Sequence, residues 1–286
     1  MLAECVINIS EGRDRSTVGT VAAAAGDTLL DVHCDPDHHR SVLTLGGPLD
    51  RVEWSARSVV ARALATIDLT AHRGVHPRFG VVDVVPFVPL EGTIDDAVGA
   101  RDRLAHWAGA ELGIPCFLYG PGRTLPEVRR EAFRSLAPDA GPPAPHPTGG
   151  AMAVGARRAL VAYNLWITGA TGSDGSGALP AARAIAGAVR GPAVRALGLA
   201  VGNGAQVSCN LVDPTRVGPA EIFDDVVRRA REAGMSVERA ELVGLLPESV
   251  LRAVPRHRWA DLDLGDDRTI EHRLAHAVAA GDSDPG

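Results

Sequence analysis

The sequence predicts an α+β protein, an α/β sandwich of two tandem units with a ligand cleft between them, and three observations carry that prediction. From residue 151 to 254 the predicted elements run strand, helix, strand, strand, helix, strand, the βαββαβ order of a ferredoxin-like unit. The first half opens with the same order and then appends further elements. Between the halves, "LAPDAGPPAPHPTGG" at 136–150 is dense in Pro and Gly, a composition that interrupts regular structure. The expected organisation is a unit over 1–145, a second over 151–254, and a polar extension over 255–286 that frays at "AAGDSDPG". Two such units side by side leave the kind of cleft in which small ligands bind.

Each element follows from a local pattern. "LAECVINI" at 2–9 reads as a strand, Ser16 to Ala25 as a helix, and "TLLDVHCD" and "RSVLTLGG" as strands on either side of a polar turn. "LDRVEWSARSVVARALATID" is helical, with Val52, Ala56, Val59, Val60 and Ala63 on one face. "VVDVVPFVPL" is a strand that Pro86 and Pro89 should push to a sheet edge or bend, because proline donates no ladder hydrogen bond. A helix over 94–112, the strand "PCFLY" and a short helix from Leu125 to Phe133 complete the first half. The second half reads "RALVAYNLWI", a helix over 179–190, "VRALGLAV", "AQVSCNLV", the helix "PAEIFDDVVRRAREAG" and "VERAELVGLL".

Composition excludes several functions. The chain has 286 residues, 45% of them hydrophobic and 22% charged, an ordinary globular balance with room for a sizeable core. Its longest apolar runs are too short to span a bilayer, and Glu4, Glu11, Arg13 and Asp14 stand where a signal peptide needs an apolar block, so a cytoplasmic protein without membrane partners is expected. All 29 basic residues are arginine, which rules out a Schiff-base lysine and a Walker A loop. A net charge of −6 with 4% aromatic residues argues against nucleic acid as a partner. Cys5, Cys34, Cys116 and Cys209 are scattered singly, so neither disulfides nor a structural zinc site is expected.

Three polar clusters interrupt this apolar background. "AHRGVHPRFG" packs His72, Arg73, His76 and Arg78 ahead of an apolar strand. The four-residue spacing of the histidines would suit a metal on a helix, but Gly74 and Pro77 oppose a helix and no metal is expected. On the residues alone, a structural loop and an active-site loop both remain open. "INISEG" closes the first strand with Asn8, Ser10, Glu11 and Gly12, and "DPDHHRS" sets Asp35, Asp37, two histidines and Arg40 in a tight connection. Either cluster can equally be a turn in which short polar side chains bond their own backbone.

At these residues the sequence resembles the glutamate formiminotransferase (formimidoyltransferase) family, which also forms the N-terminal part of formiminotransferase–cyclodeaminases. "ECVINISEG" resembles the family's ECVPNFSEG, "DPDHHRSV" a bacterial DPDHNRSV, and "HRGVHPRFGVVDVVPFVPL" HKGEHPRMGALDVCPFIPV. "PCFLYG", "GARRALVAYNLWI", "AQVSCNLVD" and "ELVGLLP" follow in order, so the likeness runs from residue 4 to about 250. The resemblance implies two α/β subdomains with a folate tunnel between them. It also implies transfer of a formimino group from N-formimino-L-glutamate to N5 of tetrahydrofolate, the co-substrate, in histidine degradation.

By the same resemblance, His76 matches the catalytic general base, and an imidazole suits a step in which N5 loses a proton while the departing amine gains one. Asp35, Asp37, Arg40, Arg73 and Arg78 are then the candidates for charged substrate groups, with Asn8, Ser10, Glu11 and Gly12 shaping the wall. Some positions depart from the pattern. His33 stands where mammalian members carry an aspartate, leaving Asp31, Asp35 or Asp37 to support His76; Val75 replaces a glutamate, Arg73 a lysine and His39 a common asparagine. The stretch after Val250 is too short for a cyclodeaminase domain, so a later step falls to a separate protein, and a homodimer is left open. Two other functions stand beside this one: a folate-dependent transferase with another one-carbon donor, and a non-catalytic folate-binding protein.

Overall fold

A computed structural model describes residues 1–73, 78–169, 177–202 and 204–281. The chain divides into two units. The first comprises Met1–Arg158 with the C-terminal residues from His276, and the second Ala159–Ala275.

The first unit runs β1 (Leu2–Ile9), α1 (Arg15–Ala23), β2 (Leu29–Asp35), β3 (Arg40–Pro48), α2 (Leu49–Thr66), β4 (Val82–Pro89), α3 (Ile94–Glu111), β5 (Cys116–Tyr119), α4 (Leu125–Glu131) and β6 (Met152–Ala156). Its six strands lie in the order β2-β3-β1-β4-β6-β5. The first four strands pair antiparallel, while β6 joins β4 and β5 in parallel. Cys5, Ile7, Leu43, Leu45, Val85 and Phe87 bury one sheet face against Val52, Val59 and Val60 of α2 and Leu104 of α3. On the other face, α4 and the residues after it close over Val84, Phe117 and Ala153.

The second unit runs β7 (Val161–Thr168), α5 (Ala178–Val189), β8 (Val194–Val201), β9 (Gly204–Leu211), α6 (Pro219–Glu232), β10 (Ser236–Val243), α7 (Glu248–Arg252) and the first part, up to Ala275, of α8 (Ile270–Gly281). Its strand order, β10-β7-β9-β8, repeats the arrangement β4-β1-β3-β2 of the first unit. Odd-numbered residues of β7 and β9, among them Tyr163, Leu165, Val207 and Leu211, bury one face against Ile185 of α5 and Val226 of α6. The α+β architecture of two related units read from the sequence is therefore the one observed.

Three local expectations change. β4 is central in its sheet, not at an edge. Its pairing with β1 covers Ala3–Cys5 opposite Phe87–Pro89 and resumes at Asn8 opposite Val84, so Pro86 falls in an interruption where no ladder donor is required. The Pro- and Gly-rich stretch at 136–150 is not the division between units: β6 beyond it completes the first sheet. Glycine there serves close packing, since a Cβ on Gly141 would lie 2.5 Å from the Ile114 carbonyl oxygen. The segment after residue 255 is also not simply polar. Trp259, Leu262 and Leu264 are buried in the second core, and the Tyr163 hydroxyl donates to the Leu262 carbonyl at 2.7 Å.

Candidate active site

The polar clusters of the first unit meet where β1, the β2–β3 turn and the segment before β4 converge. At the end of β1, Ser10 donates through Oγ to the Gly80 carbonyl at 2.8 Å and through its backbone N–H to Val81 at 2.8 Å, tying that strand to the approach of β4. Gly12 lets the β2–β3 turn close in, because a Cβ there would stand 2.2 Å from the Asp35 carbonyl oxygen. Glu11 folds back over its own loop: Oε1 accepts from the N–H groups of Gly12 at 2.9 Å, Arg13 at 2.7 Å and Asp14 at 2.9 Å. The same oxygen meets Nε2 of His39 at 3.0 Å.

In the turn, Asp35 Oδ1 accepts from the N–H groups of Asp37 at 2.9 Å and His38 at 2.8 Å, while Oδ2 pairs with His38 Nδ1 at 2.7 Å. Asp37 is exposed. Asp31 and His33 share a sheet face with Asn8, as the register His33–Val42–Asn8 requires. Arg40 donates through Nη2 to Asn8 Oδ1.

Burial works against the charge of Glu11 and of Asp35, yet both carboxyls titrate below their ordinary range. Backbone N–H donors and the neighbouring histidines, His39 and His38 respectively, outweigh the burial. A carboxylate whose pKa is depressed by folding adds stability above the unfolded value, roughly 4, and loses it as the pH falls through the folded value. The urea midpoint is therefore expected to hold from pH 7 to about 5 and to decline below about 4.5. Measured against pH, Glu11→Gln should show a shallower decline; a midpoint that rises on acidification would contradict the pairing.

Arginines converge on this corner. Asp83, 2% exposed, accepts from the Phe79 N–H at 2.6 Å and pairs with Arg129 Nη2 at 2.5 Å. Arg40 feels burial first, then the attraction of Asp83 and Asp35 and the repulsion of Arg129 and Arg78, and its guanidinium is lowered to about 10. Arg78 is lowered too, by burial above all and by Arg13, with Asp83 opposing. Arg40, Arg78 and Arg129 around Asp83 leave more cationic than anionic charge, an arrangement that favours an incoming carboxylate.

His72 Nε2 lies 2.8 Å from the His39 carbonyl oxygen and also meets the Arg78 guanidinium. Arg73 is exposed and turns back on its own loop, donating to the His72 carbonyl at 2.8 Å. His76, with Gly74, Val75 and Pro77, lies outside the described residues.

The sequence clusters that fold brings together are thus Asn8–Gly12, Asp35–Arg40 and the residues flanking His76. Asp83 and Arg129 escaped sequence reasoning. An aspartate inside an apolar strand was a signal for the first; nothing local marks the second, whose partner is 46 positions away.

The second unit has a polar stripe on the sheet face opposite its helices. Trp166 pairs in register with Gln206 and Arg239, and the Arg239 guanidinium lies 4.1 Å from the Trp166 ring centroid. Asn164 Nδ2 donates to Glu241 at 3.1 Å. Gln206 is fully buried, yet neither end of its amide finds a partner among the described residues. A buried amide without partners is costly.

No group of three or more His, Cys, Asp or Glu stands close enough to share a metal ion among the described residues. Nor is any described helix long and apolar enough to cross a membrane.

Fold and site together define a two-unit α+β protein with an anion-attracting loop cluster in one unit and an amide-bearing sheet face in the other. The chain belongs to the formiminotransferase family: the model of the formiminotransferase domain's N-terminal subdomain matches residues 2–157, and that of the formiminotransferase domain matches 160–264. It is 35% identical over 277 residues to a glutamate formimidoyltransferase of Streptococcus pyogenes serotype M1, covering 87% of this chain and 90% of that protein. It is 34% identical over 300 residues to a glutamate formimidoyltransferase of Thermoplasma acidophilum, with 97% and 98% covered. A formimidoyltransferase-cyclodeaminase of Sus scrofa is 35% identical over 287 residues, which are 87% of this chain and 51% of that protein. The family resemblance drawn from the sequence motifs is confirmed.

Proposed function

We propose that this chain transfers the formimino group of N-formimino-L-glutamate to N5 of tetrahydrofolate, giving 5-formiminotetrahydrofolate and glutamate, with His76 as general base. The chain is a transferase. Its family membership carries the reaction, and the crowding of Arg40, Arg78 and Arg129 around Asp83, beside the segment that bears His76, is the observation that supports the site.

N5 attacks the amidine carbon and a C–N bond forms. The imidazole of His76 accepts the N5 proton and returns one to the glutamate nitrogen as the old C–N bond breaks, so one group serves both steps near neutral pH. The arginines receive the carboxylates of formiminoglutamate. Asn8 and Asp35 are already bonded within the protein, and their part is to hold Arg40 and the turn in place. Ser10, Glu11 and Gly12 fix the loop that forms the wall; Asp37 and Arg73, both exposed, are the groups left to meet the polar ends of the substrates. A cytoplasmic setting accords with this small-molecule chemistry.

The test is direct. Purified protein, tetrahydrofolate and formiminoglutamate are mixed, and 5-formiminotetrahydrofolate is followed by its absorbance after acid conversion to the methenyl form. Turnover is the expected result. Folate binding without turnover would point to another donor, and neither binding nor turnover would refute the proposal.

A further inference from the structure

His39 is one of three non-glycine residues with positive φ among the described residues; its φ is 51°, a left-handed conformation that needs compensation from its surroundings. The compensation is unusually specific. The imidazole stacks on His72 with ring centroids 3.9 Å apart. Its Nδ1 lies 2.9 Å from the Arg73 carbonyl oxygen, and its Nε2 lies 3.0 Å from Glu11 Oε1. The backbone carbonyl oxygen of His39 in turn lies 2.8 Å from His72 Nε2. One side chain on the β2–β3 turn therefore ties the loop after β1 to the backbone at Arg73, three positions before His76.

The chemistry of the two contacts is restrictive. A carbonyl oxygen only accepts, so Nδ1 carries a hydrogen. Glu11 Oε1 already accepts three backbone N–H groups, as an ionised carboxylate does, and a lone pair on Nε2 would point at another lone pair. Both contacts are satisfied together only when both ring nitrogens donate. His39 thus spans a carboxylate and a carbonyl, with each ring nitrogen engaged.

We infer that His39 is a positioning residue: oriented by Glu11, it holds the Arg73 carbonyl, the last described group before the segment that bears His76. His39 does not touch the reacting atoms, and the inference rests on His76 being the base. Displacing a catalytic group by about 1 Å can cost on the order of a hundredfold in rate, so a strut of this kind is read in kcat.

His39→Phe keeps the stacking on His72 and removes both N–H donors. It is expected to lower kcat by about tenfold or more while KM for either substrate changes less than about twofold. His39→Asn, which tolerates left-handed backbone and retains one donor, should recover part of that loss. Amide hydrogen exchange of the peptide holding His72 and Arg73 should be faster in His39→Phe and unchanged in peptides of the second unit. Wild-type kcat with unchanged exchange in His39→Phe would overturn the inference. If His39→Phe fails to fold, the same readings on His39→Asn and Glu11→Gln decide it, since each weakens one contact. If the wild-type protein shows no turnover, the His76 reading fails by itself, and the strut is judged on exchange alone: faster exchange upholds it and unchanged exchange removes it.

Discussion

Replacing His76 by alanine is expected to lower turnover by at least about a hundredfold, and on the order of a thousandfold if the same imidazole serves both proton transfers. Neither secondary-structure content nor the denaturation midpoint should move, because the change removes a side chain whose assigned task is chemical. Folate affinity should survive as well, since the role given to His76 is proton transfer and not recognition. The measurement is kcat and KM for both substrates beside an equilibrium folate titration. A fall in kcat with KM preserved is the signature of an interaction made mainly in the transition state. Turnover equal to the wild type would take His76 out of the mechanism and leave proton transfer to solvent or to another group.

Asp83→Ala should produce the largest loss of stability among the site residues. Asp83 is 2% exposed, its Oδ1 accepts the Phe79 N–H, and its Oδ2 pairs with Arg129. Truncation strands the half-buried Phe79 N–H, and it leaves Arg40 with the repulsion of Arg78 and Arg129 but without the attraction of Asp83. Removing one partner of a fully buried pair costs about 3–5 kcal/mol; because Arg129 is a quarter exposed, about 2–3 kcal/mol is expected here. Urea denaturation with an unchanged m-value measures it. Asp83→Asn keeps an acceptor for Phe79 and should lose about half as much. A loss below about 1 kcal/mol in Asp83→Ala would mean that the arginine cluster relaxes into solvent and that Asp83 does not organise it.

Much of this protein was written locally. The βαββαβ order of each unit could be read because strand and helix periodicities are properties of a few consecutive residues, as in "LAECVINI" and in the apolar stripe of α2. The motif residues Asn8 to Gly12, Asp35 to Arg40 and His72 to Arg78 were legible for the same reason, as polar clusters at the ends of apolar strands. Motif order along the chain then sufficed to place it in its family.

What the sequence could not supply depends on which distant segments pair. The central position of β4 follows from β6 arriving from beyond the Pro- and Gly-rich stretch, a pairing with no local signature. Glu11 and Asp35 looked like ligands for a substrate; in the fold most of their capacity is taken by backbone N–H groups and by His39 and His38. His39 looked like a departure from a common asparagine, and only the approach of the Arg73 carbonyl within 2.9 Å turns it into a strut. Asp83 with Arg129, and the buried amide of Gln206, are likewise products of register and burial. The sequence by itself determined the elements, their order and the residue types available for chemistry. Tertiary structure alone decided which of those side chains are spent on holding the loops, because a hydrogen bond is short-ranged and its partner is chosen by sheet order, not by proximity in the chain.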